Sequence, residues 1–450
     1  VSEPIITVSG LRGVIGDTLT PEVAIRYAAA FAALIPPGTI LVSRDSRPSG
    51  EMLSEAICAG LQAVGRTTID AGILATPTTG ILVRHHHAAG GIQITASHNP
   101  SPYNGMKLFS AEGRVIPAGP GAKVLRQYRE GKPGWVPHDQ LGDELPCADA
   151  CEVHLQAVLQ TVDAARIRRR HFRVLLDANH GAGAILGRRL LESLECHVTI
   201  LGEQPNGKFA HTPEPTAENL AGVLQSVTEN GVDIGFCQDP DADRLAVIDE
   251  NGRYVGEEYT LAMCVDHVLR QWQGPIVANC ASSRMSEDLA NRYGVPYLRA
   301  AVGEANVVDT MLAGQALFGG EGNGGPIDPR VGYVRDSFVG MAQLLDAMAS
   351  RDVKLSTLAD ELPRYEIVKT KIALPPEKLA AGLDAVEAQS RHMPGVTASR
   401  LDGLRLDWAD RWLLVRGSNT EPIVRAIAEA PTAEEASNLC REAAAALAGV

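Results

Sequence analysis

Ile40-Leu41-Val42-Ser43-Arg44-Asp45 is an apolar run that ends on polar residues, and Leu53, Ile57, Leu61 and Val64 follow it at spacings of four, four and three. The run reads as a buried strand and the spaced residues as the buried stripe of a helix over 52–64, so the segment is a strand–loop–helix unit. The theme returns twice. Phe172-Arg173-Val174-Leu175-Leu176-Asp177 precedes a helix over 184–194, and Pro275-Ile276-Val277-Ala278-Asn279 precedes one over 285–293. Such units build parallel or mixed sheets covered by helices. They lie roughly a hundred residues apart, too far for a solenoid repeat. After Pro363 the pattern changes. Leu404 to Trp408, Trp412 to Val415 and Ile423 to Ala428 read as a short meander closed by a helix over 433–447, which is an α+β tail.

At 450 residues the chain is too long for one core. The expected division is three α/β domains with mixed sheets, at 1–148, 149–252 and 253–364, and a smaller C-terminal α+β domain at 365–450. Lys and Arg total 41 against 54 Asp and Glu, a net charge of −13, which disfavours a nucleic-acid-binding surface. No uncharged apolar run is long enough to span a bilayer, so no membrane partner is expected. The start, Val1-Ser2-Glu3-Pro4, lacks a basic region followed by an apolar stretch and is expected not to be a secretory signal. The eight cysteines are scattered, with only Cys147 and Cys151 close together. They read as reduced thiols of a cytoplasmic protein.

Four loops carry the chemistry. The first is Thr95-Ala96-Ser97-His98-Asn99-Pro100, which follows a short strand and enters a turn at Ser101-Pro102. A hydroxyl at such a junction either caps the turn or faces a cleft. The second is Asp239-Pro240-Asp241-Ala242-Asp243-Arg244. Carboxylates about 5 Å apart repel by roughly 3 kcal/mol per pair at an effective dielectric near 20. A loop that gathers three of them therefore suits a hard divalent cation, Mg²⁺, Mn²⁺ or Ca²⁺. An EF-hand is excluded because Arg244 stands where its sharp turn needs glycine, and both flanks read as extended. The third loop, Gly319-Gly320-Glu321-Gly322-Asn323-Gly324-Gly325, lets backbone approach a ligand while Glu321 and Asn323 offer groups that read hydroxyls. The fourth, Arg416-Gly417-Ser418-Asn419-Thr420-Glu421-Pro422 with Arg425 close behind, is suited to a phosphate dianion.

These loops, in this order, resemble the α-D-phosphohexomutase family over nearly the whole chain. Its phosphoserine signature matches Thr95 to Pro100, its metal loop Asp239 to Arg244, its sugar loop Gly320-Glu321, and its phosphate loop Arg416 to Pro422. Ser9 to Gly13, Arg44 to Arg47, Asn104 to Lys107 and Asp177 to Asn179 add smaller matches. The resemblance implies four domains around one central cleft, the last more mobile. It implies interconversion of hexose 6-phosphate and hexose 1-phosphate, in which phosphorylated Ser97 passes its phosphoryl group to the sugar. The resulting hexose 1,6-bisphosphate, also the activator, then turns over in the cleft. Mg²⁺ is expected on Asp239, Asp241, Asp243 and an oxygen at Ser97, with Arg244 beside the transferred group.

By the same resemblance Lys107 is the leading general base, with phosphate neutralisation as its other role. Arg12 and His98 come second for proton or phosphate handling. Arg416, Ser418, Asn419, Thr420 and Arg425 are expected on the non-reacting phosphate, and Glu321 and Asn323 on the sugar. Common bacterial members read Gly-Glu-x-Ser-Gly-His in the sugar loop, whereas this chain has Asn323 and Gly325 in the last polar places, so no histidine role carries over. That form resembles the archaeal-type branch of phosphoglucosamine mutases and phosphomannomutases. Glucosamine phosphate is the favoured substrate, with mannose or glucose phosphate as the alternative. A non-catalytic sugar-phosphate binder and a plain sugar phosphatase are the competing classes; retention of Ser97 and all three aspartates argues against the binder. A monomer or homodimer is expected.

Overall fold

The computed structural model describes residues 3–7, 10–390, 393–417 and 423–450. The strand–loop–helix units form where the periodicity places them: strand Ile40–Arg44 with helix Gly50–Ala63, strand Arg173–Asp177 with helix Gly183–Ser193, and strand Ile276–Asn279 with helix Met285–Tyr293. Each unit belongs to a separate mixed sheet. The first sheet has seven strands, with Ile40–Arg44 parallel to both Gly90–Ile94 and Thr68–Ile73. The second and third have four strands each, and the fourth, Glu366–Ala373 to Thr397–Ser399, has five antiparallel strands.

One topological feature is shared by all four. Gly90–Ile94 is followed by its antiparallel neighbour Tyr103–Ser110, Ile234–Gln238 by Leu245–Asp249, Phe318–Glu321 by Gly325–Ile327, and Trp412–Gly417 by Ile423–Ala430. Each chemistry-bearing loop is thus the connection of a hairpin. In the first three sheets it leaves the carboxyl end of a strand paired in parallel on its other side, the edge at which open α/β sheets bind ligands.

Each of the first three domains keeps a core of its own, and a further, larger core is common to all three. One cluster joins Leu82 and Val83, Leu176 and Leu190, and Phe318, Phe338 and Leu345. Helix Ser337–Arg351 runs through it with thirteen buried residues out of fifteen, as expected of a helix enclosed on all sides. Its N-terminus is fixed by Asp336. Asp336 Oδ1 accepts the amides of Phe338 and Val339 at 2.9 and 3.2 Å. Asp336 Oδ2 lies 2.7 Å from His154 Nε2, and His154 Nδ1 lies 2.9 Å from Thr78 Oγ1. One buried chain of polar contacts therefore ties helix Thr76–His85, helix Glu152–Leu159 and the central helix together. The last domain has its own core, and Trp412, Leu414 and Ile427 dock it against Cys280. All eight cysteines are free thiols. Among the described residues no helix is long and apolar enough to cross a membrane.

The segment after Gly202 straps the second domain to the first. Asn179 Oδ1 accepts the amides of Ala210 and His211 at 2.8 and 3.3 Å, His211 Nε2 lies 2.8 Å from Asp177 Oδ2, and the Phe209 ring lies 5.1 Å from the Arg47 guanidinium. Burial pulls the His211 imidazole down, but the Asp177 hydrogen bond and charge outweigh it and raise the net value.

Two outcomes are expected. Asp336→Ala removes a cap and a buried partner at once and should lower unfolding stability by about 3 kcal/mol, read by urea denaturation. Because the folded-state value of His211 is raised, its contribution is complete below the unfolded pKa and vanishes as pH rises through the folded one. The urea-midpoint gap between wild type and His211→Gln should therefore be wide at pH 5.5 and close by pH 9, at a cost of about 1.5 kcal/mol on the acid side.

Candidate active site

Ser97 stands at the first hairpin turn with φ 52°, in the left-handed region that a serine rarely adopts. Buried Arg47 holds it there. The Arg47 guanidinium donates to the carbonyls of Ser97, Asn99, Pro100 and Tyr103 at 2.6 to 3.0 Å and pairs with Asp45 at 3.1 Å. Asp45 also accepts the Thr95 hydroxyl at 2.6 Å, and Thr95 Oγ1 accepts the Ser97 amide at 2.8 Å. A strained backbone persists when its surroundings fix it this thoroughly.

The Ser97 hydroxyl donates to Asp239 Oδ2 at 3.1 Å. Asp239, Asp241 and Asp243 are each fully buried, and an oxygen of each lies within 4.8 Å of the others. Ala242, between the last two, has φ 54°. The turn that converges the carboxylates thus forces Ala242 into a conformation glycine adopts freely. Asp239 Oδ1 accepts the amides of Asp243 and Arg244, both at 3.1 Å. Asp241 Oδ2 accepts the Thr76 hydroxyl and Lys107 Nζ, each at 2.6 Å. Asp243 Oδ2 accepts Lys107 Nζ at 2.7 Å and Arg335 Nη2 at 2.6 Å. The other oxygens, Oδ1 of Asp241 and Oδ1 of Asp243, are buried without a partner. Two orphaned carboxylate oxygens beside a third carboxylate and a serine hydroxyl are a donor set for a hard divalent cation, and the residues fit Mg²⁺.

The cations around this cluster come from several elements. Strand register Gly10↔Lys107 and Arg12↔Gly105 puts Arg12 and Lys107 on one face of the first sheet. Burial lowers the Lys107 ammonium, but Asp241 and Asp243 outweigh it and hold it protonated. Arg12 donates to Asn99 Oδ1 at 3.1 Å. His98 Nδ1 lies 3.4 Å from Ser97 Oγ, and the charge of Arg244, then burial, then Arg12 push its imidazole down to about 2. His98 is therefore a neutral hydrogen-bonding group. Arg244 Nε is buried without a partner, 3.9 Å from Asp243 Oδ1.

The sugar loop joins the same cluster. The Leu245 amide donates to the Gly324 carbonyl at 2.8 Å. Glu321, read from sequence as a ligand-facing carboxylate, is mostly engaged by the protein. Its Oε1 accepts Asn279 Nδ2 at 2.7 Å and the Gly303 amide at 3.1 Å, and its Oε2 lies 3.0 Å from Arg335 Nη1. Asn323 Nδ2 lies 3.5 Å from Glu321, while Asn323 Oδ1 is buried without a partner. Asn323 is thus the sugar-loop group with an acceptor to spare.

Arg416 Nε donates to Asp402 at 3.0 Å, and Arg416 faces Arg425 across the strand pair. Ser418, Asn419 and Thr420 lie outside the described residues.

Sequence reading passed over four residues of this assembly. Thr76 and Glu304 sit in helix first turns, where only their tertiary neighbours give them a role. Arg47 belongs to one of the smaller sequence matches, and its grip on the Ser97 loop leaves no local signature. Arg335 had one usable signal: it stands immediately before a helix-capping aspartate and a long apolar run.

Comparison with known proteins agrees with this layout. The chain matches "Phosphoglucomutase/phosphomannomutase, alpha/beta/alpha domain I" over residues 5–133, domain II over 152–252, domain III over 257–365, and the C-terminal domain over 371–446. It is 36% identical to a phosphoglucomutase/phosphomannomutase of Thermococcus kodakarensis, over 95% of this chain and 94% of that one. It is 32% identical to a probable phosphoglucosamine mutase of Thermococcus gammatolerans, over 97% and 96%. A crystal structure of a phosphoglucomutase/phosphomannomutase family protein from Burkholderia thailandensis superposes with a TM-score of 0.88 at 25% identity, covering 100% of this chain and 98% of that one. Four domain matches in order and full-length similarity make the chain a member of the phosphoglucomutase/phosphomannomutase family.

Proposed function

We propose that this chain is an isomerase that interconverts hexose 6-phosphate and hexose 1-phosphate through a phosphoserine at Ser97 and a hexose 1,6-bisphosphate. The observation that carries the reading is the Ser97 hydroxyl, 3.1 Å from Asp239, beside two aspartate oxygens that no protein group satisfies. Asp239, Asp241, Asp243 and an oxygen at Ser97 would hold Mg²⁺, which would supply charge neutralisation and polarisation of the phosphoryl group.

In the first step the sugar hydroxyl attacks the phosphorus of phosphoserine 97. The Ser97 O–P bond breaks, a bond to the sugar oxygen forms, and the hydroxyl proton passes to a base, for which Lys107 is the leading group. Two carboxylates hold Lys107 protonated as the site stands. Its work as a base therefore begins only once its contacts to Asp241 and Asp243 are given up. Arg244 and Arg12 stabilise charge on the transferred group, and neutral His98 orients the Ser97 oxygen.

The bisphosphate then turns over, its second phosphate returns to Ser97, and the departing sugar oxygen recovers a proton. Arg416, Ser418, Asn419, Thr420 and Arg425 hold the phosphate that is not reacting, so that binding energy remote from the chemistry positions the reacting end. Asn323 reads the sugar, with Glu321 fixed behind it. The Glu321-Gly322-Asn323 form of the loop favours glucosamine phosphate, with mannose or glucose phosphate as the alternative. Eight free thiols suit a reducing cytoplasm.

Turnover of glucosamine, mannose and glucose 1-phosphates, with Mg²⁺ and a trace of the matching bisphosphate, should show mutase activity that Ser97→Ala lowers at least about 1000-fold. Wild-type silence on all three sugars would refute the reading. If mannose 1-phosphate were used about ten times more efficiently than glucosamine 1-phosphate, a difference of about 1.4 kcal/mol, the sugar preference would reverse. Chelation of divalent cations should abolish turnover, and Mg²⁺ should restore it, as read in the same coupled assay.

A further inference from the structure

Arg335 touches three acidic side chains with three different nitrogens. Its Nη2 donates to Asp243 Oδ2 at 2.6 Å, its Nη1 lies 3.0 Å from Glu321 Oε2, and its Nε donates to Glu304 Oε2 at 3.2 Å. Its own backbone amide donates to Glu304 Oε1 at 3.2 Å. The side chain is 8% exposed. It therefore spans the metal loop of the second domain and the sugar loop of the third. The guanidinium is planar and its donors point in fixed directions, so the two carboxylates it bridges cannot drift independently.

The bridge also decides what Asp243 presents. With Oδ2 occupied by Arg335 and Lys107, only Oδ1 is left, and that oxygen has no hydrogen-bond partner, its nearest cation being Arg244 Nε at 3.9 Å. The space for the arginine stem comes from Gly325. A Cβ there would lie 2.4 Å from Arg335 Cδ and 2.8 Å from Cγ. A histidine at position 325, the residue of the common bacterial loop pattern, cannot coexist with this arginine in this place.

We propose that Arg335 is the positioning residue that locks the sugar loop to the metal loop, and that the absence of a side chain at Gly325 exists to admit it. The inference rests on the mutase reading above and adds a constraint to it. During turnover the bisphosphate leaves its contacts and re-enters reversed, so substrate cannot hold the two loops in register at that moment. Arg335 does so without touching substrate. Loss of the bridge lets Glu321 and Asp243 move apart, the returning phosphate misses its in-line position, and the bisphosphate escapes.

The test compares wild type, Arg335→Ala, Arg335→Lys, Gly325→Ala and the double variant Gly325→Ala/Arg335→Ala. Mutase kcat and KM, free hexose bisphosphate released per turnover, and the thermal midpoint are measured on each. Arg335→Ala should lose roughly 100-fold in kcat, the cost of misplacement by about an ångström, with a much smaller change in KM. It should also release several times more bisphosphate per turnover. Arg335→Lys keeps the charge but cannot hold three carboxylates, and should recover only part of the loss. Gly325→Ala should reproduce the defect in the wild-type background and add nothing when Arg335 is already Ala.

Should Arg335→Ala fail to fold, Arg335→Lys and Gly325→Ala carry the same readout. The proposal is overturned if folded variants keep wild-type kcat and bisphosphate release. It is overturned equally if lost activity only follows lost folded protein, with partitioning unchanged. A silent wild type overturns the mutase reading and this inference with it, whereas an active wild type with unaffected variants overturns this inference alone.

Discussion

Three carboxylates with no solvent exposure have to be neutralised by something, and that requirement organises the molecule. Asp239, Asp241 and Asp243 are buried together, and desolvating each ion costs several kcal/mol unless counter-charges and hydrogen bonds are in place. Their own hairpin supplies the amides of Asp243 and Arg244 to Asp239, and the rest comes from outside it: Lys107 and the Thr76 hydroxyl from the first domain, Arg335 from the third. Assembly of the domains and assembly of the site are consequently one event. The contacts also close on themselves. From Asp241 the path runs through Thr76 and Thr78 of one helix, to His154, to Asp336, to the adjacent Arg335, and back to Asp243. A ring of this kind leaves none of the first three domains free to shift without exposing a buried charge or orphaning a buried donor.

The hairpins explain why four loops so distant in sequence can serve one reaction. In the first three sheets, a strand paired in parallel on one side and antiparallel on the other ends in a loop at the sheet edge, and such a loop aims its side chains beyond the sheet. Both residues at the crux of these turns, Ser97 and Ala242, occupy the left-handed region. That strain is worth on the order of 1 kcal/mol or more at each. It is sustained by Arg47 in one case. In the other, the Ala242 carbonyl accepts the Ser337 hydroxyl at 2.7 Å and the Pro240 carbonyl accepts the Ala182 amide at 2.8 Å. Ser97 and the aspartates are held in place because their backbones are over-determined.

The legible and illegible parts of the chain divide along physical lines. Units such as Ile40–Arg44 with Gly50–Ala63 announce themselves because a buried strand and a one-faced helix leave strong periodic signals. The reacting loops do so because clustered aspartates, or a serine between a strand and a proline, have few structural uses. Strand Glu366–Ala373 leaves a weak signal because none of its residues is fully buried, although half-buried Val368, Thr370 and Ile372 alternate with exposed neighbours. Arg335, Arg47 and Thr76 were silent for a different reason. Each has a decisive partner 50 to 165 residues away, and an arginine before a helix or a threonine after a strand looks the same whether it meets solvent or a buried carboxylate. Glu321 has a second role that its type does not announce. Its type suggests a ligand contact, yet Asn279, Gly303 and Arg335 take most of its capacity, leaving Asn323 with the unpartnered acceptor.

A second line of contacts extends the argument to the distal phosphate. Arg416 of the last domain donates to Asp402, and the same Asp402 oxygen accepts the amide of Val302 in the third domain at 3.0 Å. The next amide, that of Gly303, donates to Glu321, which pairs with Arg335, which pairs with Asp243. Two consecutive amides thus point at two different domains, and Gly303 manages this with φ 117°, a conformation closed to other residues. The distance between a phosphate-loop arginine and the metal loop is in this way fixed by a short series of charge-assisted bonds rather than by bulk packing. Under the proposed mechanism, a hexose bisphosphate that binds in either direction would need the span between its two phosphate sites held constant while it turns. The path from Arg416 through Gly303 and Arg335 to Asp243 provides that constancy.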